Sequence, residues 1–403
     1  MPGLLLVYMY NPDLDASKYA YYAALGLRHR GDRLCYTVLD NGKFKTSCLD
    51  PWSSEISIPR ARAVLLSIGN EDSMYVSGDV AVAVDGACTP NDVARVLSKI
   101  EGLGQSVELV KNVEFSCTFI ALSRKGYFLA FRDRQGIRPL VYGGYGFDGL
   151  ILASETAPIV LAGGKPARDL RPGEIVYGDE YELRFEEVLA SSKPRTCLFE
   201  YIYLARPDSV LDGVNVYMFR RAMGEILAEK HHADVDVVIG VPETAIPYAM
   251  GYAEKKRARL EYGFISTIGR IRTAVVRTSV DDRLKLLSLK LNLVPGILEG
   301  SRVAIIDDSI VTGLTLKTVV HRIRVQEAPL EVHVVVACPK LVSQCPYRVQ
   351  SISEDVLLAR WFGDNTIKRI LDIDSILWLD VKDAVSYLSP KGIDPCTKCM
   401  VRS

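Results

Sequence analysis

Short apolar or alternating runs dominate the first half of the chain. They fall at residues 4–10, 34–39, 64–68, 80–84, 127–131, 150–153 and 174–177, and each predicts a strand. Helical periodicity is clear at residues 18–27 and 92–100. This mixture predicts sheets with helices segregated on the outside, an α+β arrangement. The second half has another grammar. An amphipathic helix at 217–229 leads to an apolar strand at 237–241, a helix at 248–257, a strand at 303–307, a helix at 315–324 and a strand at 332–338. Alternating helices with Val- and Ile-rich strands predict a parallel α/β sheet covered on both faces. The change falls at the Ser/Lys/Pro stretch 191–196, so the expected domains are 1–195 and 196–385, with a tail at 386–403.

Composition narrows the function classes. The 403 residues carry 49 Lys plus Arg against 49 Asp plus Glu, so bulk charge gives no pull on nucleic acid. No run of about 18 apolar residues occurs, and MPGLLLVYMY has no basic stretch of the signal-peptide kind. No membrane span or nucleic-acid partner is expected, and a cytoplasmic location is. Nine cysteines without export signals predict reduced thiols or metal ligands.

Residues 303–315, VAIIDDSIVTGLT, carry the sharpest chemistry. A buried strand ends in Asp307 and Asp308, and a loop with Ser309, Thr312, Gly313, Leu314 and Thr315 leads into a helix. Ligands of open parallel sheets bind at the carboxyl ends of the strands. Loop amides and a helix start hold phosphate, and Gly313 lets backbone approach closely. The carboxylates repel phosphate, so their partners are ribose hydroxyls or a divalent cation. The pattern suits a phosphorylated sugar carrying a metal-bound pyrophosphate. It is neither a Walker A loop nor a dinucleotide fingerprint.

That string resembles the phosphoribosyl pyrophosphate loop of phosphoribosyltransferases, particularly of the glutamine phosphoribosylpyrophosphate amidotransferases, the first enzymes of de novo purine synthesis. Residues 199–216 (FEYIYLARPDSVLDGVNV) and 241–254 (VPETAIPYAMGYAE) resemble the same family. So do 262–264, Arg272–Thr273 and 290–292, and, earlier, 27–31 (LRHRG), 132–140 (RDRQGIRPL), 153–155 (ASE) and 171–174 (RPGE). The resemblance implies an N-terminal Ntn-hydrolase-like αββα sandwich followed by a phosphoribosyltransferase domain. It implies a magnesium site at Thr244, Asp307 and Asp308.

Departures from the family bear on activity. The family's glutaminase uses a cysteine nucleophile after the initial methionine, where this sequence has Pro2. Its His-Thr-Arg-Tyr string is missing around residues 64–71, and its His-Asn-Gly is replaced by Val84, Asp85 and Gly86. Cys35, Cys48, Cys88 and Cys117 would supply a thiol only in a rebuilt site; as single residues they read as small buried hydrophobes. The front domain is expected to lack glutaminase chemistry. In the rear domain, Thr312 and Leu314 stand where the family has Arg and Thr, and Ser266, Thr267 and Ile268 where its mobile loop has Lys-Asn-Arg. Arg270, Arg272 and Arg277 are the cations left to compensate.

CTKC at 396–399 alone is a redox pair, half a zinc site or a tail. With Cys197 and Cys345 it matches the four ligands of a 4Fe–4S cluster in one branch of the family; tetrahedral zinc, free thiols or a disulfide are the alternatives. Cys338 reads as a buried strand residue. The five histidines form no catalytic cluster: His29 reads as structural, and His231 and His232 as helix-end residues favoured by the dipole. Asp281, Asp282 and residues 254–259 read as solvated faces. Two readings result. One is an ammonia-dependent amidophosphoribosyltransferase, its ammonia free or supplied by a partner. The other is a non-catalytic regulatory or partner subunit. Expected partners are phosphoribosyl pyrophosphate, purine nucleotides, and either further copies or a related amidotransferase.

Overall fold

The computed structural model describes residues 2–53, 56–69, 73–98, 102–187, 195–266, 291–348 and 352–401. Among them, two antiparallel sheets form the front of the molecule. One has the strand order Lys165–Asp169, Val141–Gly144, Gly149–Ala153, Gly3–Met9, Ala63–Gly69, Arg33–Asp40, Lys43–Leu49. The other runs Leu183–Glu187, Glu174–Gly178, Phe128–Phe131, Cys117–Ser123, Val80–Gly86, Met74–Ser77.

Side-chain alternation explains the layering. In Gly3–Met9, Leu4, Leu6 and Tyr8 join Ala81, Ile120 and Phe128 in the core between the sheets. Leu5, Val7 and Met9 turn the other way, onto the helix Ala16–Leu27. On the far side Val80, Val82 and Val84 meet the helix Pro90–Leu97 and Val107 and Val110 of the helix Leu103–Asn112. A strand buried on both faces reads as continuously apolar, which is why the sequence pattern is strong there. The result is the expected αββα sandwich. Lys43–Leu49, largely exposed and polar, gave no such signal.

The rear of the molecule is a five-stranded sheet, Arg259–Glu261, Val237–Gly240, Arg302–Asp307, Glu331–Val336, Ser375–Trp378, parallel throughout. The helices Val216–Lys230, Ile246–Lys256 and Leu314–Glu327 pack on it through Phe219, Met223, Tyr248 and Val320. The same core takes in Leu388, Ile393, Cys396 and Met400 from the tail, and Ile137 from the front half. No helix among the described residues is long and apolar enough to cross a membrane.

Two expectations are corrected. Cys35, Cys48, Cys88 and Cys117 are neither reduced thiols nor metal ligands: they form the disulfides Cys35–Cys48 and Cys88–Cys117. The first is set by hairpin register. Asn41 and Gly42 both have positive φ, and the turn they make pairs Asp40 with Lys43 and therefore Cys35 with Cys48. In the second, Cys117 lies opposite Gly86, two residues before Cys88. His231 is not a charged helix end. It is buried against Tyr252 and Ser375, and burial pushes its pKa down to about 4.

Buried ion pairs join front to rear. Arg30 Nε bonds Glu155 Oε1 at 2.6 Å and its Nη2 bonds Glu200 Oε2 at 2.9 Å, with all three side chains fully buried. Glu155 also meets His29 Nε2 at 2.6 Å and accepts from Arg206 N–H and the Ser209 hydroxyl, each at 2.8 Å. Burial opposes its charge, yet Arg30 and His29 hold its carboxyl well below the usual range. Arg132 makes a second clamp to Asp212, at 2.6 and 2.9 Å.

Candidate functional site

The central strand Arg302–Asp307 is apolar from Val303 to Ile306 because both faces are covered. Its neighbours run parallel, so the ends of Val237–Gly240 and Glu331–Val336 lie on the same edge as Asp307. The Val241 N–H donates to Ile306 O at 2.9 Å, fixing residues 241–245 beside that edge, with Thr244 half-buried among them and the Pro242–Glu243 peptide cis.

Asp307 is buried, while Asp308 and Ser309 are half-exposed. The Asp308 N–H donates to Asp307 Oδ1 at 2.9 Å, and the Ser309 hydroxyl donates to Asp308 Oδ1 at 2.8 Å. Burial pushes the Asp307 pKa well up, and the neighbouring Asp308 charge adds to it. Two adjacent acids with hydroxyls beside them make an oxygen-rich donor set, which suits a hard divalent cation or sugar hydroxyls.

Behind the acids, Thr312 Oγ1 accepts from the Leu314 N–H at 3.3 Å, and the helix Leu314–Glu327 begins. Gly313 is needed twice over. Its φ is +75°, and a Cβ there would lie 2.8 Å from Leu358 Cδ2. Leu358 N–H donates to Val311 O at 2.8 Å, so residues around 358 back the loop from below. Thr315, Thr318 and Arg322 line a shallow hollow with Phe264 and Leu291. Thus Asp307, Asp308, Ser309, Thr312, Gly313, Leu314 and Thr315 form one strand–loop–helix unit, with Thr244 on the same sheet edge. Residues 267–290, including Thr267, Ile268, Arg270, Arg272, Arg277, Asp281 and Asp282, lie outside the described residues; the side chain of Ser266 does too.

The front counterpart is different. Pro2 sits against Gly69, and the Ser73 hydroxyl donates to Ser67 Oγ at 3.0 Å. Asp85, at the end of Val80–Gly86, is 1% exposed. Arg138 Nε lies 3.4 Å from its Oδ1. Burial pushes the Asp85 pKa up, and Arg138 pulls it back down. The Asp133 carboxylate accepts backbone N–H groups of Gln135, Ile137 and Arg138 at 3.0 to 3.1 Å, which holds the 133–138 turn.

The four remaining candidate cysteines converge. Cys197, Cys345, Cys396 and Cys399 line one hollow with Ile137, Phe199, Pro346, Tyr347 and Lys398. Backbone bonds bring the segments together. Cys396 N–H donates to Thr196 O at 2.7 Å and Leu198 N–H to Cys396 O at 3.2 Å. Val342 and Ser343 N–H groups both donate to Cys399 O. Burial, with Cys345 and Cys396 nearby, pushes the Cys399 thiol up to about 12. Burial also raises Cys197 well above its ordinary value, although Arg138 opposes this. Crowded buried thiols of this kind ionise when a bound cation or cluster balances them. Four cysteine sulfurs from three segments lining one hollow are a donor set of the kind that holds an iron–sulfur cluster or a tetrahedral zinc. Cys338 is buried and does not line this hollow, although Cys399 acts on it electrostatically. Residue-type reasoning missed Arg138 and Tyr347 as neighbours of the sulfurs.

A parallel sheet with an acidic strand end and a small-residue loop over a helix start defines a phosphoribosyltransferase-type domain. The family model for the phosphoribosyl transferase domain matches residues 217–359. Relatives extend this to the whole chain. An amidophosphoribosyltransferase of Methanothermobacter thermautotrophicus is 35% identical over 269 residues, 67% of this chain and 56% of that protein. One of Methanocaldococcus jannaschii is 27% identical across 99% of this chain and 96% of its own length. The solved glutamine phosphoribosylpyrophosphate amidotransferase of Bacillus subtilis, complexed with ADP and GMP, superposes with a TM-score of 0.85 at 23% identity, covering 99% of this chain and 96% of that one. The chain belongs to the amidophosphoribosyltransferase family. Its matched part spans little more than half the length of the Methanothermobacter relative.

Proposed function

We propose that the protein binds phosphoribosyl pyrophosphate with Mg²⁺ at residues 307–315 and makes 5-phosphoribosylamine for purine biosynthesis, using free or partner-supplied ammonia after loss of glutamine hydrolysis. The carrying observation is a contrast within one chain. The rear sheet keeps an acidic strand end over a phosphate-type loop, while the front site has a cation-paired acid, Asp85. All four cysteines of residues 1–195 are paired as well, so none offers a thiolate.

Asp307 and Asp308 hold the ribose hydroxyls and, with Thr244, the cation. The amides of residues 309–315 and the start of Leu314–Glu327 hold the phosphate. When held by Thr244, Asp307 and Asp308, Mg²⁺ would supply positive charge to offset that of the pyrophosphate. Ammonia forms the N–C1 bond as the C1–O bond to pyrophosphate breaks and its electron pair leaves with the pyrophosphate; the nitrogen then loses a proton. The chain's part is to fix this alignment and exclude water.

A second reading, a non-catalytic regulatory or partner subunit, is favoured by Thr312 and Leu314, which bring no charge to the loop. Release of pyrophosphate by anaerobically purified protein with donor, Mg²⁺ and ammonia separates the two. Release above background supports the enzyme, and tight donor or nucleotide binding without release supports the subunit. Glutamine in place of ammonia is expected to give nothing.

The cysteine hollow is assigned in the same proposal to a 4Fe–4S cluster that staples tail to sheet, with zinc as the alternative that iron and sulfide analysis decides. Purine nucleotides of the kind bound by the Bacillus protein are the expected effectors. Self-association or pairing with a related amidotransferase is the expected assembly. A cytoplasmic location belongs to the same proposal, and the two disulfides are the feature that sets it apart from an ordinary reducing cytosol.

A further inference from the structure

Arg138 is a buried charge that the proposed chemistry leaves unused. It belongs to the front half, in the turn built by Asp133, and is 1% exposed. Yet its Nη2 donates to Tyr347 O at 3.1 Å, two residues beyond Cys345. Its neighbour Ile137 lines the cysteine hollow, and the Ile137 carbonyl accepts the Cys197 N–H at 3.2 Å. Nε stands 3.4 Å from Asp85 Oδ1, but neither Nε nor Nη1 has a hydrogen-bond acceptor among the described residues. Both Asp85 oxygens also have no hydrogen-bond partner among the described residues, so the pair is a charge contact that leaves donors of the buried guanidinium unbonded.

Four thiolates around a cluster would supply negative charge in a medium of low dielectric, where a counter-ion acts strongly. Lys398, a cation that lines the hollow, is exposed and bonded to the Tyr347 hydroxyl at 3.0 Å, so water and salt screen it. Arg138 is buried, and Asp85, Cys197, Glu200 and Cys345 act on it electrostatically, in that order.

We propose that Arg138 is a positioning residue for the cluster: the front domain's buried counter-charge to the four cysteine sulfurs, with Asp85 setting how much of that charge the cluster feels. This rests on the assignment of the hollow to a 4Fe–4S cluster. It gives the front domain a task that needs no glutamine. It also gives Asp85 a role as the partner of Arg138.

The test uses the full chain purified anaerobically, with iron and sulfide counted, the reduction potential followed by electron paramagnetic resonance, and iron loss to a chelator timed. Arg138→Met removes a positive charge, so its cluster is expected to take an electron at a more negative potential and to lose iron several-fold faster. Arg138→Lys keeps the charge and is expected to restore most of both. Asp85→Asn removes the opposing charge and is expected to shift the potential the other way, which keeps the proposal testable if Arg138→Met fails to fold. Variants with full iron and sulfide but wild-type potential and iron loss overturn the role of Arg138. Wild-type protein without iron and sulfide overturns the cluster assignment, and this proposal with it.

Discussion

Asp85 and Asp307 are both buried acids at the end of a sheet strand, and burial pushes the pKa of each upward. Their neighbours separate them. Asp85 faces the Arg138 guanidinium, so its charge is matched from within the protein. Asp307 is acted on by Asp308, with half-exposed Asp308 and Ser309 leading outward. Burying a charge becomes a ligand site when the compensating charge has to come from outside. When the protein supplies it, the same burial is structural. The two halves also use cysteine in opposite ways: the front pairs its thiols in disulfides, and the rear gathers them around a hollow.

The largest effect is expected at the rear acid. Asp307→Asn should weaken Mg²⁺-dependent donor binding about 100-fold or more, measured by calorimetry, because that charge meets the cation and ribose directly. Asp85→Asn should leave donor affinity within about twofold. Equal losses in both variants would erase the distinction drawn between the two acids.

Next comes the clamp between the halves. Glu155→Gln leaves Arg30 short of a partner and should cost about 3–5 kcal/mol in a denaturant titration. The Glu155 carboxyl is held below its ordinary value of 4.5. Its contribution is therefore present above about pH 4.5 and lost as pH falls towards the folded value. Wild-type stability should drop over that acid range, and the Glu155→Gln variant should drop less.

Removing the Cys35–Cys48 disulfide by Cys35→Ser should cost about 3 kcal/mol, the scale for a short loop. Iron and sulfide content should not change. The smallest effect is expected at Gly313→Ala, where positive φ and the Leu358 contact should cost about 1–3 kcal/mol and weaken donor binding.

Much of the rear site was legible because its signal is local. Residues 303–315 carry strand, acids, loop and helix start in one continuous string, so periodicity and residue type suffice. The hairpin disulfide was also within reach: the Asn41–Gly42 turn fixes the register that sets Cys35 against Cys48. Cys88–Cys117 was not, because two helices intervene and the pairing depends on how strands meet in the sheet. The strings around Arg30, Arg132 and Glu155 show the other kind of failure. They resembled glutaminase signatures, yet their charges join the two halves across separations of 51 to 170 residues. No local pattern names a partner that distant, and that is why Arg138 was overlooked.

Amide hydrogen exchange on the full chain tests the contrast most directly. Donor with Mg²⁺ should slow exchange at residues 308–315, and glutamine should leave Ala63–Gly69 and Val80–Gly86 unchanged. Protection of the front strands by glutamine, or no protection of 308–315 by the donor, would contradict the account.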